Sequence, residues 1–438
     1  MATDPASIPE STASVPATSP TDNSRHGRRA FLGTAASAAI GTLLADRFAA
    51  ATPAALQLST NESITGSAVG SLFPFIDSQA VKTDFPLSYL NEKFISLSDW
   101  QHTARGRLLE LLHYAPPACS PGAEIIDRQD LGDCICEKVT FNTTPSLRVP
   151  AVVLIPKNAA PPYPAIVALH DHGGFYLWGK EKLLETAGEH AALREFRQKY
   201  YGGKSLAIEL VRQGYLVIVI DMFYWGERRM LLDPDPAEWR DRSSSLTGER
   251  VREFNKRAGQ SEPLVARTIY AAGFTWPGVI FWDDRRTIDY LVSRPDVDRN
   301  RIGCVGLSVG GFRSCHLAAL DERIKVAVAV GWMTSFPWQL RNHVLNTIGH
   351  TMIVPGLYRE LDYPDVAALA APTPLLVING SQDQLFHPDG VQAAFEKLHA
   401  CYVKAGAKDH CVTRLYDAPH EFNVAMQEEA WAWIKRWL

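Results

Sequence analysis

From residue 133 onward, short runs rich in Val, Ile and Leu alternate with longer stretches whose apolar positions recur at helical spacing. Asp133 to Phe141 alternates, with Ile135, Val139 and Phe141 on one side, and reads as a strand. Strand-like runs follow at 151–155, 165–169, 216–220, 301–305, 326–330 and 375–378, and the last strand candidate is 412–416. Several are apolar throughout, as strands are when helices cover both faces of their sheet. Helical stretches lie between them at 205–213, 278–293, 311–320, 391–405 and 421–438. This alternation predicts an α/β domain with a mostly parallel, eight-stranded, doubly wound sheet, helices on both faces and an antiparallel first pair at one edge.

Upstream, Ser98 or Asp99 is expected to cap a helix carrying Trp100, Ala104, Leu108, Leu111 and Leu112, stopped by Pro116-Pro117. Two segments break the alternation. Residues 230–277 are charged, with a predicted helix over Glu249 to Ala258, and residues 332–370 carry Trp332, Trp338, His343, His350 and Tyr358. Both neighbour carboxyl ends of strands and read as insertions that shape a pocket, with plain structural cover as the alternative. The expected organisation is a leader over 1–51, an N-terminal extension over 52–97 and the α/β domain over 98–438.

Composition adds a large core: 46% of the 438 residues are apolar. The net charge of −4 gives no electrostatic reason to expect nucleic acid as a partner. Met1 to Ser24 is rich in Pro, Ser, Thr and Ala, and cannot bury enough apolar surface to order itself. Arg28-Arg29 and a small-residue apolar run to Leu44 follow. They resemble a bacterial twin-arginine signal, which predicts a periplasmic or secreted protein handled by the twin-arginine machinery and cleaved near Ala51. Asp46 and Arg47 interrupt the run before it reaches a membrane-spanning length. Export raises the question of disulfides among the seven cysteines. Cys134 and Cys136 do not easily bridge each other, Cys304 and Cys315 read as core, and Cys401 with Cys411, or Cys119 with Cys134 or Cys136, are open pairings.

The strongest chemical signal is Gly306-Leu-Ser308-Val-Gly310, set between an apolar strand and a helix. A serine held on a sharp strand-to-helix turn needs small neighbours, and the following helix offers N–H groups to developing negative charge. Serine is a weak nucleophile until a base takes its proton and an acid fixes the tautomer of that base. Asp383 lies just beyond the strand at 375–378, and His420 just beyond the last strand, which gives the order serine, acid, histidine. Asp389, deeper in the next helix start, reads as a cap. The oxyanion donors are expected to be the N–H groups of Val309 and, from His170-Asp-His172-Gly173-Gly174-Phe175, of Gly174. A metal held by His170, Asp171 and His172 is the competing reading of that loop, without an evident fourth ligand. His172, Phe175, Trp225 and Trp332 are the expected pocket residues.

The run Trp-Asp-Asp-Arg-Arg, then Arg-Pro-Asp-Val-Asp-Arg, then Arg-Ile-Gly-Cys-Val-Gly-Leu-Ser-Val-Gly-Gly, within 276–330, resembles dienelactone-hydrolase-like and acetyl-xylan-esterase-like bacterial members of the α/β-hydrolase superfamily. The likeness extends more loosely from about residue 133 to the C-terminus. It implies the α/β-hydrolase fold and a serine carboxylesterase working through an acyl-enzyme, with Ser308, Asp383 and His420 at the triad positions and no metal or organic cofactor. Dienelactone hydrolases carry cysteine where this chain has Ser308. Acetyl esters of carbohydrate are the expected substrate class. Gly310-Gly311 also resembles prolyl-oligopeptidase-type peptidases, which makes a peptidase or amidase the second reading and a silent, hydrolase-like binding protein the third.

Overall fold

The computed structural model describes residues 65–242 and 246–438, so the leader and its export motif lie outside the described residues. The strands are β1 (Glu124–Asp130), β2 (Cys134–Thr144), β3 (Leu147–Pro156), β4 (Tyr163–Leu169), β5 (Leu216–Ile220), β6 (Val297–Leu307), β7 (Ile324–Val330), β8 (Leu375–Gly380) and β9 (Cys411–Tyr416). The helices are α1 (Phe73–Gln79), α2 (Leu97–Leu111), α3 (Ala191–Tyr200), α4 (Leu206–Arg212), α5 (Ala237–Asp241), α6 (Gly248–Ala271), α7 (Trp276–Ser293), α8 (Val309–Leu320), α9 (Val344–Thr347), α10 (Tyr363–Ala368), α11 (Pro388–Lys404) and α12 (Val424–Trp437).

All nine strands form one sheet in the order β1-β2-β3-β5-β4-β6-β7-β8-β9. The pairs among β1, β2, β3 and β5 are antiparallel, and every pair from β5 onward is parallel. The sheet therefore has one strand more than the eight expected. The extra strand is β1, whose sequence Glu-Ile-Ile-Asp-Arg-Gln-Asp stays exposed at the edge and so lacks the buried alternation by which strands are read. Along β5, Leu216, Ile218 and Ile220 face one core while Val217 and Val219 face the other. Helices α2, α7, α8 and α11 cover the first core, and α4 and α12 the second. Each fully buried aliphatic side chain contributes roughly 1.5–3 kcal/mol. Two covered faces explain why the strand runs are apolar throughout.

Local signals set the helix ends. Ser96, rather than Ser98 or Asp99, caps α2 by accepting from the Asp99 N–H, and the helix ends at Leu111, before the Pro pair. His387, not Asp389, caps α11, its Nδ1 accepting from the Asp389 N–H. Helix α6 runs on through Pro263 well past Ala258. All seven cysteines are free thiols, and none of the open disulfide pairings is formed.

The chain leaves β4, forms β5 on one side, and returns through α5–α7 to place β6 on the other side of β4. That reversal opens a crevice at the carboxyl ends of β4 and β6, where open α/β sheets bind ligands.

Candidate active site

Ser308 ends the β6 run and opens α8 with φ 59° and ψ −122°, a conformation that costs a non-glycine residue strain. Close approach of the backbones demands the flanking glycines. A Cβ on Gly310 would lie 2.0 Å from the Leu169 carbonyl oxygen, and one on Gly306 2.5 Å from it. The serine thus stands directly beside the end of β4. Its side chain does not cap α8, so the first amide of the helix, that of Val309, has no intrahelical acceptor and is available to a bound anion.

Asp383 and His420, the expected acid and base, come from neighbouring loops after β8 and β9. Backbone bonds from Ser381 to Tyr416 (2.7 Å) and from Gln382 to Ala418 (3.1 Å) tie the two loops together. Asp383 is buried; its Oδ1 accepts from the Leu385 N–H at 2.9 Å, and its Oδ2 lies 2.6 Å from His420 Nδ1. That bond puts the ring proton on Nδ1 and leaves Nε2 as the basic nitrogen. Ser308, Val309 and His420 line one cavity of about 320 Å³, at the crevice expected from the strand order. No hydrogen bond yet joins Ser308 to His420; such contacts commonly tighten only with substrate present.

The loop after β4 departs from expectation. Gly174 donates its N–H to His172 Nδ1 at 3.0 Å, so it is already committed and is not the free oxyanion donor. The amides of His172 and Gly173, which donate to no acceptor among the described residues, remain as the donors this loop offers the cavity. Because His172 Nδ1 accepts, the ring proton sits on Nε2, which donates to Glu262 Oε1 at 2.8 Å. Below the loop, the buried Lys182 reaches the carbonyl and carboxylate of Asp171 and the carbonyl of His172 (3.2 Å), and Tyr201 donates to Asp171 Oδ1 at 2.5 Å. His170 accepts from the Met222 N–H through Nε2 and donates from Nδ1 to the Asp171 carbonyl. Burial, with the charges of Lys182 and Arg313, holds it neutral, well below its ordinary value.

These bonds answer the metal reading. Both ring nitrogens of His170 and His172, and both oxygens of Asp171, already have protein partners. The three carboxylates of Glu181, Asp221 and Glu227 do converge elsewhere. Lys180 Nζ sits among them, 2.6 Å from Asp221 and 2.5 Å from Glu227, and is itself the cation they hold. The loop and this cluster are scaffolding for the backbone above them.

Of the expected pocket residues, His172 and Trp332 line the cavity. Phe175 and Trp225 do not. Phe175 stacks on Phe196 at 4.9 Å, and Trp225 is wholly buried with its Nε1–H donating to the His172 carbonyl at 3.2 Å, so both support the loop from outside the cavity. Both insertions supply wall. Glu262 comes from the first, and Trp332, Leu345, Asn346, Thr347 and Met352 from the second. Tyr200, Leu385 and Glu262 went unnoticed in the sequence. The charged face of α6 looks like a solvated surface until the fold brings Glu262 against His172.

The chain matches the prolyl oligopeptidase family model over residues 271–438 and an Abhydrolase family model over 61–236. It is 28% identical over 335 residues to "Putative hydrolase YtaP" of Bacillus subtilis, covering 76% of this chain and 98% of that protein. Among solved structures it resembles a "putative acetyl xylan esterase" from Bacteroides fragilis (TM-score 0.58, 20% identity, 78% of this chain and 81% of the other). It also resembles a glucuronoyl esterase from Solibacter usitatus (TM-score 0.57, 16% identity, 82% and 99%). With a serine at the elbow of this sheet and hydrolase family models matching 61–236 and 271–438, the chain has the α/β-hydrolase fold, is an enzyme of the serine hydrolase type and resembles acetyl-xylan-esterase-like enzymes.

Proposed function

We propose that the protein is an exported serine carboxylesterase that cleaves an ester of a carbohydrate, acetyl esters foremost. One observation carries the reading: His420 bonded to the buried Asp383 at 2.6 Å, in the same cavity as a serine held at a strained elbow. In the proposed reaction His420 Nε2 takes the proton of Ser308 as its oxygen attacks the ester carbonyl. The Val309 amide and an amide of His172 or Gly173 receive the negative charge that develops on the carbonyl oxygen. His420 then protonates the departing alcohol, and a water attacks the acyl-serine by the same path in reverse.

The neighbours' printed names, acetyl xylan esterase and glucuronoyl esterase, support a carbohydrate ester as substrate. Hydrolysis of short-chain aryl esters is the first test. Ser308→Ala is expected to lower kcat by about 10³-fold or more with the fold retained, and a variant that kept its activity would refute the mechanism. The prolyl oligopeptidase family match favours a second reading, a peptidase or amidase on the same three residues. Comparing aminoacyl amides with acyl esters separates the two. Export rests on the arginine pair and apolar run ahead of Leu44. Secreted protein whose first residue was Met1, rather than one near Ala51, would remove it.

A further inference from the structure

Glu262 is more than nine-tenths buried, yet it lines the cavity that holds Ser308. Its two oxygens differ. Oε1 accepts from His172 Nε2 at 2.8 Å and from the Tyr176 hydroxyl at 2.9 Å. Oε2 has no hydrogen-bond partner among the described residues, and it is not sealed from the cavity. Burial works to raise this carboxyl, but the bonds from His172 and Tyr176 and the neighbouring His350 hold it below the ordinary carboxylate value, so it is ionised at neutral pH. A carboxylate oxygen that faces a cavity without a protein partner is open to a hydrogen bond from a ligand donor, and a bond to a charged acceptor is stronger than one to a neutral group. No lysine or arginine lines the cavity among the described residues. The positively chargeable side chains that line it are His172 and His420, and the Asp171 carboxylate stands on the same wall, paired with Lys182.

We infer that Glu262 Oε2 accepts a hydrogen bond from a hydroxyl of the substrate next to the scissile ester, so that the site takes a neutral polyhydroxy ester and turns away one bearing a carboxylate. The inference rests on the esterase reading and narrows its substrate class. Mono-acetylated methyl xyloside offers hydroxyl donors beside its ester, whereas 4-nitrophenyl acetate offers none. A partnered hydroxyl on an ionised acceptor raises kcat/KM for the first substrate by roughly tenfold or more over its value without that bond, and leaves the second unaffected.

The test is the ratio of kcat/KM for these two esters, in the wild type and in two variants of the full chain. Glu262→Gln keeps an acceptor for His172 but puts an NH₂ group in the place of Oε2. Glu262→Asp keeps the charge and withdraws it by one methylene. In both, the ratio is expected to fall by about tenfold, whatever common loss both esters suffer. Acetylated methyl glucuronoside with its carboxylate free is expected to be a poor substrate of the wild type, and to gain on the xyloside ester in Glu262→Gln. A merely structural role for Glu262 lowers both neutral esters in step, and an unchanged ratio in folded variants would overturn the inference. So would a wild type that cleaved the aryl ester and ignored the sugar ester. A wild type that cleaved no ester at all would instead overturn the esterase reading.

Discussion

His316 sits on α8, two turns beyond Ser308, and is wholly buried. Its Nδ1 donates to the Phe312 carbonyl at 2.8 Å, its Nε2 has no partner, and its ring stacks on Phe281 at 4.1 Å. Burial pushes its pKa down from 6.5 to about 4. The unfolded chain therefore takes up this proton before the folded one does. The stability linked to His316 is complete above pH 6.5, falls as the pH drops, and is exhausted below about 4. Across the whole window the loss is about 3.4 kcal/mol, and between pH 7.5 and 5.0 it is about 2 kcal/mol. His316→Leu has similar volume and nothing to protonate. Urea unfolding at the two pH values should show the wild type losing about 2 kcal/mol more than the variant. Equal acid losses in the two proteins would refute the assignment of a bare, neutral imidazole at this position.

Two further perturbations follow from contacts in the same region. Gly310→Ala forces a Cβ to within 2.0 Å of the Leu169 carbonyl, so the β4 end or the elbow must move. The expected cost is about 3 kcal/mol or more, with activity lost in whatever remains folded; an active variant of wild-type stability would contradict the packing. Arg313 and Asp284 form a buried bidentate pair at 2.6 and 3.0 Å. Arg313→Met strands the carboxylate and should cost about 3–5 kcal/mol in chemical denaturation, most of which Arg313→Met with Asp284→Leu should restore.

The parts of this fold that were readable from the sequence are those with a local signature. The apolar runs of β3 to β8 announce themselves because helices cover both faces. The elbow glycines are legible because Gly306 and Gly310 are dictated by a backbone approach that no larger residue permits. Asp383 and His420 are found by order, since each follows a strand whose carboxyl end must lie at one rim of the sheet. What escaped depends on long-range contact. Strand β1 escapes because an exposed edge imposes no alternation. The commitment of the Gly174 amide follows from a ring nitrogen whose proton position is set by Glu262, ninety residues away. Trp225 and Trp332 are alike in sequence, and only the packed structure separates a prop from a wall. Helix α6 escapes past Ala258 because Pro263, normally a stop, is tolerated in its interior.

All twelve residues of α8, from Val309 to Leu320, are buried. A helix with no wet side has no edge from which to peel, so its amides can meet solvent only when the layers around it come apart. Ser308 is thus anchored to a part of the molecule expected to loosen late, while much of the cavity wall belongs to the two insertions. Heat should therefore blur selectivity before it erases chemistry, and a partly loosened enzyme would be a careless one rather than a dead one.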